Sequence, residues 1–196
     1  MISRRIVAVM LMLSLGGCVG RSAQLVPVGS QTVLNTDQIE AEWPQGWMTF
    51  RPAEKDEEAV KQGLLFMVTR DGFSLQTMRL NKRPLEGEFK HTQKKLSASM
   101  LPQEAAAIIL DDIRANPDVV DLKIVENGPA TLAGSQGFRV NYTYRSKTGL
   151  LRQAVTYGCI DKGSLATLGF DAPKRHYFSL DLATFEKVKD TLRWIS

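Results

Sequence analysis

Cysteine and histidine are scarce in this chain, with two of each among 196 residues. His91 and His176 sit in no HExxH pattern and no CxxC pair exists, so a zinc site would need carboxylates gathered by the fold. Neither a GxxxxGK[ST] nor a GxGxxG loop is present, which leaves nucleotide-phosphate binding without support. The segment AGSQG (133–137) has the outline of a serine-hydrolase elbow, but Ala133 stands where that elbow needs glycine. A tight turn is the better reading. Asp111 and Asp112 are adjacent in a helical pattern and so point about 100° apart, unlike a catalytic carboxylate dyad. These absences predict a protein that is not an enzyme and carries no cofactor and no metal.

Charge of one sign is also missing. The chain has 25 Lys and Arg against 21 Asp and Glu, and two of the basic residues, Arg4 and Arg5, lie in the first five positions. The remaining near-neutral balance argues against a nucleic-acid partner. The longest apolar run, Ile6–Leu15, is half the roughly 20 residues that a helix needs to span a bilayer.

What is present at the front is a positively charged start, that short apolar run and the small residues Gly16 and Gly17, the layout of a secretory signal peptide over 1–17. The boundary Leu15-Gly16-Gly17-Cys18 resembles the bacterial lipobox, which implies cleavage before Cys18 and acylation of its thiol. Burial of acyl chains contributes about 0.8 kcal/mol per CH₂, and two chains make attachment long-lived. Val19 after the cysteine, by the sorting rule of that class, implies an outer-membrane lipoprotein facing the periplasm. Once Cys18 is lipidated, Cys159 has no partner for a disulfide, and its apolar strand context predicts a buried small hydrophobe.

Residues 18–38 are rich in turn formers and read as a lipidated N-terminus and tether, able to hold a domain roughly 25 Å from its anchor. Leu25, Val26, Val28, Val33 and Leu34 leave open the addition of an edge strand. A single domain is expected over 39–196. Asp71-Gly72, between the apolar runs 63–70 and 73–80, predicts a hairpin. In 101–115, Ala106, Ile109, Leu110 and Ile113 share one helical face, Pro102 suits the first turn and Asn116-Pro117 ends the helix. Strands with short turns follow, over 121–127, then 130–133 beyond Gly128-Pro129, 138–145, 150–160 and 165–170, and short turns require antiparallel pairing. The sequon Asn141-Tyr142-Thr143 falls inside one of these strands and is discounted. A last helix covers 180–196, with Leu182, Phe185, Val188, Leu192 and Ile195 on one face and Asp181 as its N-cap. The class is α+β, an antiparallel sheet with helices packed on it.

The stretches NGPATLAGSQGFRVNYTY (127–144) and FDAPKRHYFSLDLATFEKVKDTLRWI (170–195), and more weakly WPQGW (43–47), resemble the PsbP-like superfamily of photosystem extrinsic and Mog-type Ran-binding proteins. The resemblance implies an α/β/α sandwich and a binding role. No Ran-binding or manganese-cluster residue of that superfamily has a counterpart here.

Two surfaces stand out as candidate binding sites. RLNKRPLEGEFKHTQKKL (79–96) holds Arg79, Lys82, Arg83, Lys94 and Lys95, a cluster suited to anionic headgroups or an acidic partner. Trp43, Trp47, His176 and Tyr177 suggest an aromatic recognition patch. The expected function is an envelope lipoprotein held to the membrane through Cys18, acting as a non-catalytic binding or assembly module for an envelope protein. The alternative is a small-ligand or lipid carrier with a cleft between sheet and helix.

Overall fold

The computed structural model describes residues 25–28, 33–36, 39–53 and 56–195. The signal peptide and Cys18 lie outside these residues. In chain order the elements are β1 (Leu25–Pro27), β2 (Val33–Thr36), β3 (Ile39–Glu42), β4 (Met48–Phe50), α1 (Glu57–Lys61), β5 (Leu64–Thr69) and β6 (Thr77–Pro84). They continue as α2 (Pro102–Ala115), β7 (Val119–Leu132), β8 (Ser135–Ser146), β9 (Leu151–Asp161), β10 (Ser164–Pro173), α3 (Ser179–Thr191) and β11 (Arg193–Trp194). Eight strands form an antiparallel sheet in the order β1-β4-β5-β6-β10-β9-β8-β7, and β11-β3-β2 form a small second sheet. Segments 25–27 and 33–36, expected in the tether, thus pair with β4 and β3.

Alternation along the strands sorts side chains onto two faces. One face carries Met78, Leu80, Val155, Leu168 and Phe170 against α3 and β3. There the Phe170 ring stacks between Phe178 and Phe185, with both centroids at 5.5 Å. The other carries Phe138, Val140, Tyr142, Ala154 and Leu165 against α2 and the 85–96 loop. The result is helix on sheet on helix. In α2 the expected face holds, with Ala105, Ala106, Ile109 and Leu110 buried. Its start is secured by the Leu101 N–H donating to Glu104 Oε2 at 2.8 Å.

Three boundaries differ from the sequence expectation. The hairpin after β5 has a wider turn, because the Thr69 hydroxyl accepts from the Gly72 N–H at 3.0 Å and donates to the Gln76 carbonyl at 2.7 Å. Its second strand therefore begins at Thr77 rather than Phe73. Residues 119–132 form one strand through Gly128-Pro129, since β7 is at the sheet edge, where a proline leaves no ladder bond unmade. The last helix stops at Thr191, whose hydroxyl bonds back to the Lys187 and Val188 carbonyls and accepts from the Glu42 N–H. Arg193 and Trp194 then pair with β3, so Ile195 is not on the helix face. Asp181 is likewise no cap. It is buried inside α3, where Arg70 Nη1 reaches its Oδ1 at 2.8 Å.

Candidate binding cleft

The strand alternation that builds the core takes the basic cluster apart. Arg79 and Arg83 fall on the α2 face of β6, and Lys82 on the other, with its ammonium 5.6 Å from the Trp194 ring. Arg83 is buried at 5% exposure, its guanidinium donating to the Gly87 and Glu88 carbonyls over the Phe89 ring. Lys94 is paired with Asp111 at 2.8 Å and Lys95 with Glu88 at 3.4 Å. Arg79, Lys82, Arg83, Lys94 and Lys95 therefore do not form one basic surface.

The aromatic patch does not assemble either. Trp43 is 1% exposed and meets Phe66 edge-on at 4.5 Å, and Trp47 is 6% exposed within the same core. Of the four residues only His176 is exposed, beside a half-buried Tyr177 at 5.2 Å. Tryptophan at these positions fills the space between the main sheet and the small one, where its large apolar area stabilises most.

One residue of the basic cluster, Arg79, does lie in a recess. Strand register lays two rows across the α2 face: Thr77–Asp171–Ala154–Tyr142 and Arg79–Gly169–Thr156–Val140. Ala154 and Gly169 put almost no side chain at the centre of these rows, so the floor is low there. The wall is the end of α2 and the start of β7, through Ile113, Asn116 and Val119. The cleft between them has a volume of about 190 Å³, enough for about six waters. Asn116-Pro117, which the sequence marks as a helix stop, is what leaves this end of the sheet uncovered.

Its electrostatics are set by Asp171, Arg152, Arg79 and the two phenols. Asp171 Oδ2 accepts from the Tyr144 hydroxyl at 2.6 Å, and Asp171 Oδ1 is held by the Arg152 guanidinium, which also donates to the Ser74 carbonyl at 2.8 Å. Burial, then the Asp171 charge, pushes the Tyr142 and Tyr144 phenols well above the usual tyrosine range. Both are neutral donors at physiological pH and neither is a base. The Arg79 charge acts in the opposite direction on Tyr142, as does the Thr156 hydroxyl. Among the described residues Arg79 has no hydrogen-bond or ion-pair partner.

The carboxylates on α2 have structural tasks. Asp112 Oδ1 accepts from the His91 and Thr92 N–H groups at 2.8 and 2.9 Å, fixing the loop against α2. Asp111 is paired with Lys94 and Arg114. Among the described residues no three His, Cys, Asp or Glu gather closely enough to hold a metal ion, and no helix is long and apolar enough to cross a membrane. A second, more open groove of about 540 Å³ lies at the other end of α2, between Leu101, Pro102 and Pro129–Thr131.

No protein-family model matches the chain, and no curated protein matches it. Among solved structures it is similar to the cyanobacterial PsbP protein (CyanoP) of Synechocystis sp. PCC 6803, with a TM-score of 0.57 at 14% identity, covering 92% of this chain and 98% of that one. Two weaker likenesses are to LpqN of Mycobacterium tuberculosis (TM-score 0.49, 13% identity, 89% and 92% covered) and to the Ran-binding protein Mog1p of Saccharomyces cerevisiae (0.48, 9%, 89% and 96%). The likeness to CyanoP runs over nearly the whole of both chains and concerns the fold. This chain has a PsbP-like α+β fold.

Proposed function

We propose that this chain is an envelope lipoprotein, anchored through Cys18, whose domain acts as a non-catalytic binding or assembly module and engages its partner at the Arg79 cleft. The observation that carries the binding reading is the chemistry of that cleft. It offers a guanidinium with no partner among the described residues, phenols kept protonated by burial, and a carboxylate, Asp171, already held by Arg152 and Tyr144, with no histidine or thiol beside them. Such a set recognises a group without moving a proton from it. Support for the anchor comes from the lipobox pattern at residues 15–18, and for the outer membrane from Val19.

The test is a membrane crosslinking pull-down with the wild type, Cys18→Ser and Arg79→Gln. The wild type is expected in the membrane pellet with one envelope protein crosslinked, Cys18→Ser in the soluble fraction, and Arg79→Gln in the pellet with the crosslink lost. Cys18→Ser remaining in the pellet would remove the anchor. An Arg79→Gln crosslink as strong as wild type would remove the cleft. Turnover of a substrate by the purified domain, abolished by a point change in the cleft, would remove the non-catalytic reading. The small-ligand reading is favoured by the cleft lying between sheet and helix, and a molecule retained in native mass spectrometry would support it.

A further inference from the structure

We infer that the Arg79 cleft is a receptor for a monocarboxylate with a short apolar body, an assignment that rests on reading the cleft as the binding site. The positive charge needed is there and unspent, since Arg79 faces the recess with no partner among the described residues, while Arg152, the other guanidinium nearby, is fully engaged. A planar guanidinium binds a carboxylate by two parallel N–H···O bonds. Neutral donors stand around it. Asn116 Oδ1 is occupied by the Asp118 N–H at 2.9 Å, which turns the remaining function of that side chain, its NH₂, into a donor. The Thr156 hydroxyl and the Tyr142 phenol interact with each other and together offer one further O–H.

Asp171 decides the charge of the ligand. Its carboxylate lines the same recess and is balanced by Arg152. The cleft therefore has an excess of a single positive charge. A doubly charged phosphate would have one charge uncompensated and facing Asp171, whereas a monoanion is matched. The rest of the lining is apolar or aromatic: Ile113, Val119, Ala154 and the rings of Tyr142 and Tyr144, whose centroids are 6.1 Å apart. A body of one ring or a short aliphatic chain fills the 190 Å³ beside them. Gly169 keeps the entrance to Arg79 clear, because a Cβ there would stand 3.3 Å from Thr156 Oγ1. Free small acids and the terminal carboxylate of a peptide share this chemistry.

The experiment is an NMR titration of the full chain carrying Cys18→Ser with benzoate, benzamide and inorganic phosphate, then with a peptide ending in phenylalanine as free acid and as amide. Benzoate is expected to shift the amide resonances of Asn116, Thr156 and Gly169 saturably. Benzamide should bind at least about tenfold more weakly, and Arg79→Gln should weaken benzoate, not benzamide, by at least about tenfold, as loss of a charged hydrogen-bond pair requires. Equal binding of benzoate and benzamide, or benzoate binding unchanged in Arg79→Gln, overturns the carboxylate assignment, as does phosphate binding more tightly than benzoate. If Gly169→Ala still weakens those probes, the cleft survives as a binding site and only the charge assignment falls. An absence of shifts at the cleft from every probe overturns both. Tighter binding of the free-acid peptide than of benzoate assigns the carboxylate to a protein terminus, and the reverse assigns it to a small acid.

Discussion

Arg152 and Asp171 meet on the α2 face of the sheet, one from β9 and one from β10, and the Tyr144 hydroxyl completes the set by donating to Asp171 Oδ2 at 2.6 Å. The Arg152 guanidinium also donates to the carbonyls of Ser74 and Leu75, in the turn before β6. One side chain thus ties the floor of the cleft to the hairpin turn. Asp171→Asn leaves Arg152, only 8% exposed, without its counter-charge, and is expected to cost about 3 kcal/mol. Tyr144→Phe removes a single hydrogen bond to that carboxylate and is expected to cost about 2 kcal/mol. Urea denaturation of both variants checks the order. Equal losses would mean that Arg152 is balanced elsewhere.

Two glycines of the central strands are expected to respond differently to alanine. A Cβ on Gly158 would fall within the Phe138 ring that lies across it, so Gly158→Ala is expected to cost about 1–3 kcal/mol. Gly169→Ala meets only the Thr156 hydroxyl, 3.3 Å from the new Cβ at the cleft floor, and is expected to cost less than about 1 kcal/mol. Thermal melts of the pair separate a glycine kept for packing from one that keeps the recess open.

Cys159 is 1% exposed in the α3-face core, and burial, with the Asp161 charge second, pushes its thiol up to about 11. In the Cys18→Ser chain, a thiol-specific chromogenic reagent at pH 8 is expected to find no reactive sulfur in the folded protein and a full equivalent in denaturant. Rapid labelling of the folded chain would show that the β9 face is open.

Alkaline stability follows from the tyrosines. Tyr142, Tyr144 and Tyr157 all have raised pKa values, Tyr157 to about 12 through burial and its hydrogen bond to Glu186. The native state keeps these protons where the unfolded chain, with phenols near 10, releases them. Stability from this source is therefore complete below pH 10 and declines as pH rises from 10 through the native values. In a chain carrying Tyr177→Phe, which leaves these three phenols alone, absorbance of phenolate and circular dichroism, followed between pH 9 and 12, should change together. Phenolate appearing before unfolding would show that these rings are wetter than the fold implies.

Trp43 supplies the test of the core between the two sheets. Trp43→Ala is expected to cost about 4 kcal/mol by leaving a cavity beside Phe66. A loss near zero in chemical denaturation would return this tryptophan to the surface.

The sheet and its two main helices were legible in the sequence because their signals are local. Alternation in 138–145, helical spacing in 101–115 and the short turns between the later strands each depend on residues within a few positions of one another. The basic cluster was misread for the converse reason. A run of lysines and arginines is one feature along the chain, but a strand sends neighbours to opposite faces, and the α2 carboxylate Asp111 and the loop's Glu88 neutralise Lys94 and Lys95. Trp43 and Trp47 were ambiguous because nothing near them in sequence shows that β3 and β11 close over that side. Nor could sequence single out the cleft, since Arg79, Gly169, Thr156 and Asn116 become neighbours only through strand register.

By itself, then, the sequence determined the α+β class, the helix stop at Asn116-Pro117 and the expectation of a lipid anchor at Cys18, since local propensity and short-range pattern suffice for each. The tertiary structure alone decided which charges are spent and which are free. Pairing of charges depends on distances between residues far apart in the chain, and those distances are set by the order β6-β10-β9-β8 and by where α2 ends above it. That is why one arginine of the five basic residues singled out, Arg79, is left to face an open recess.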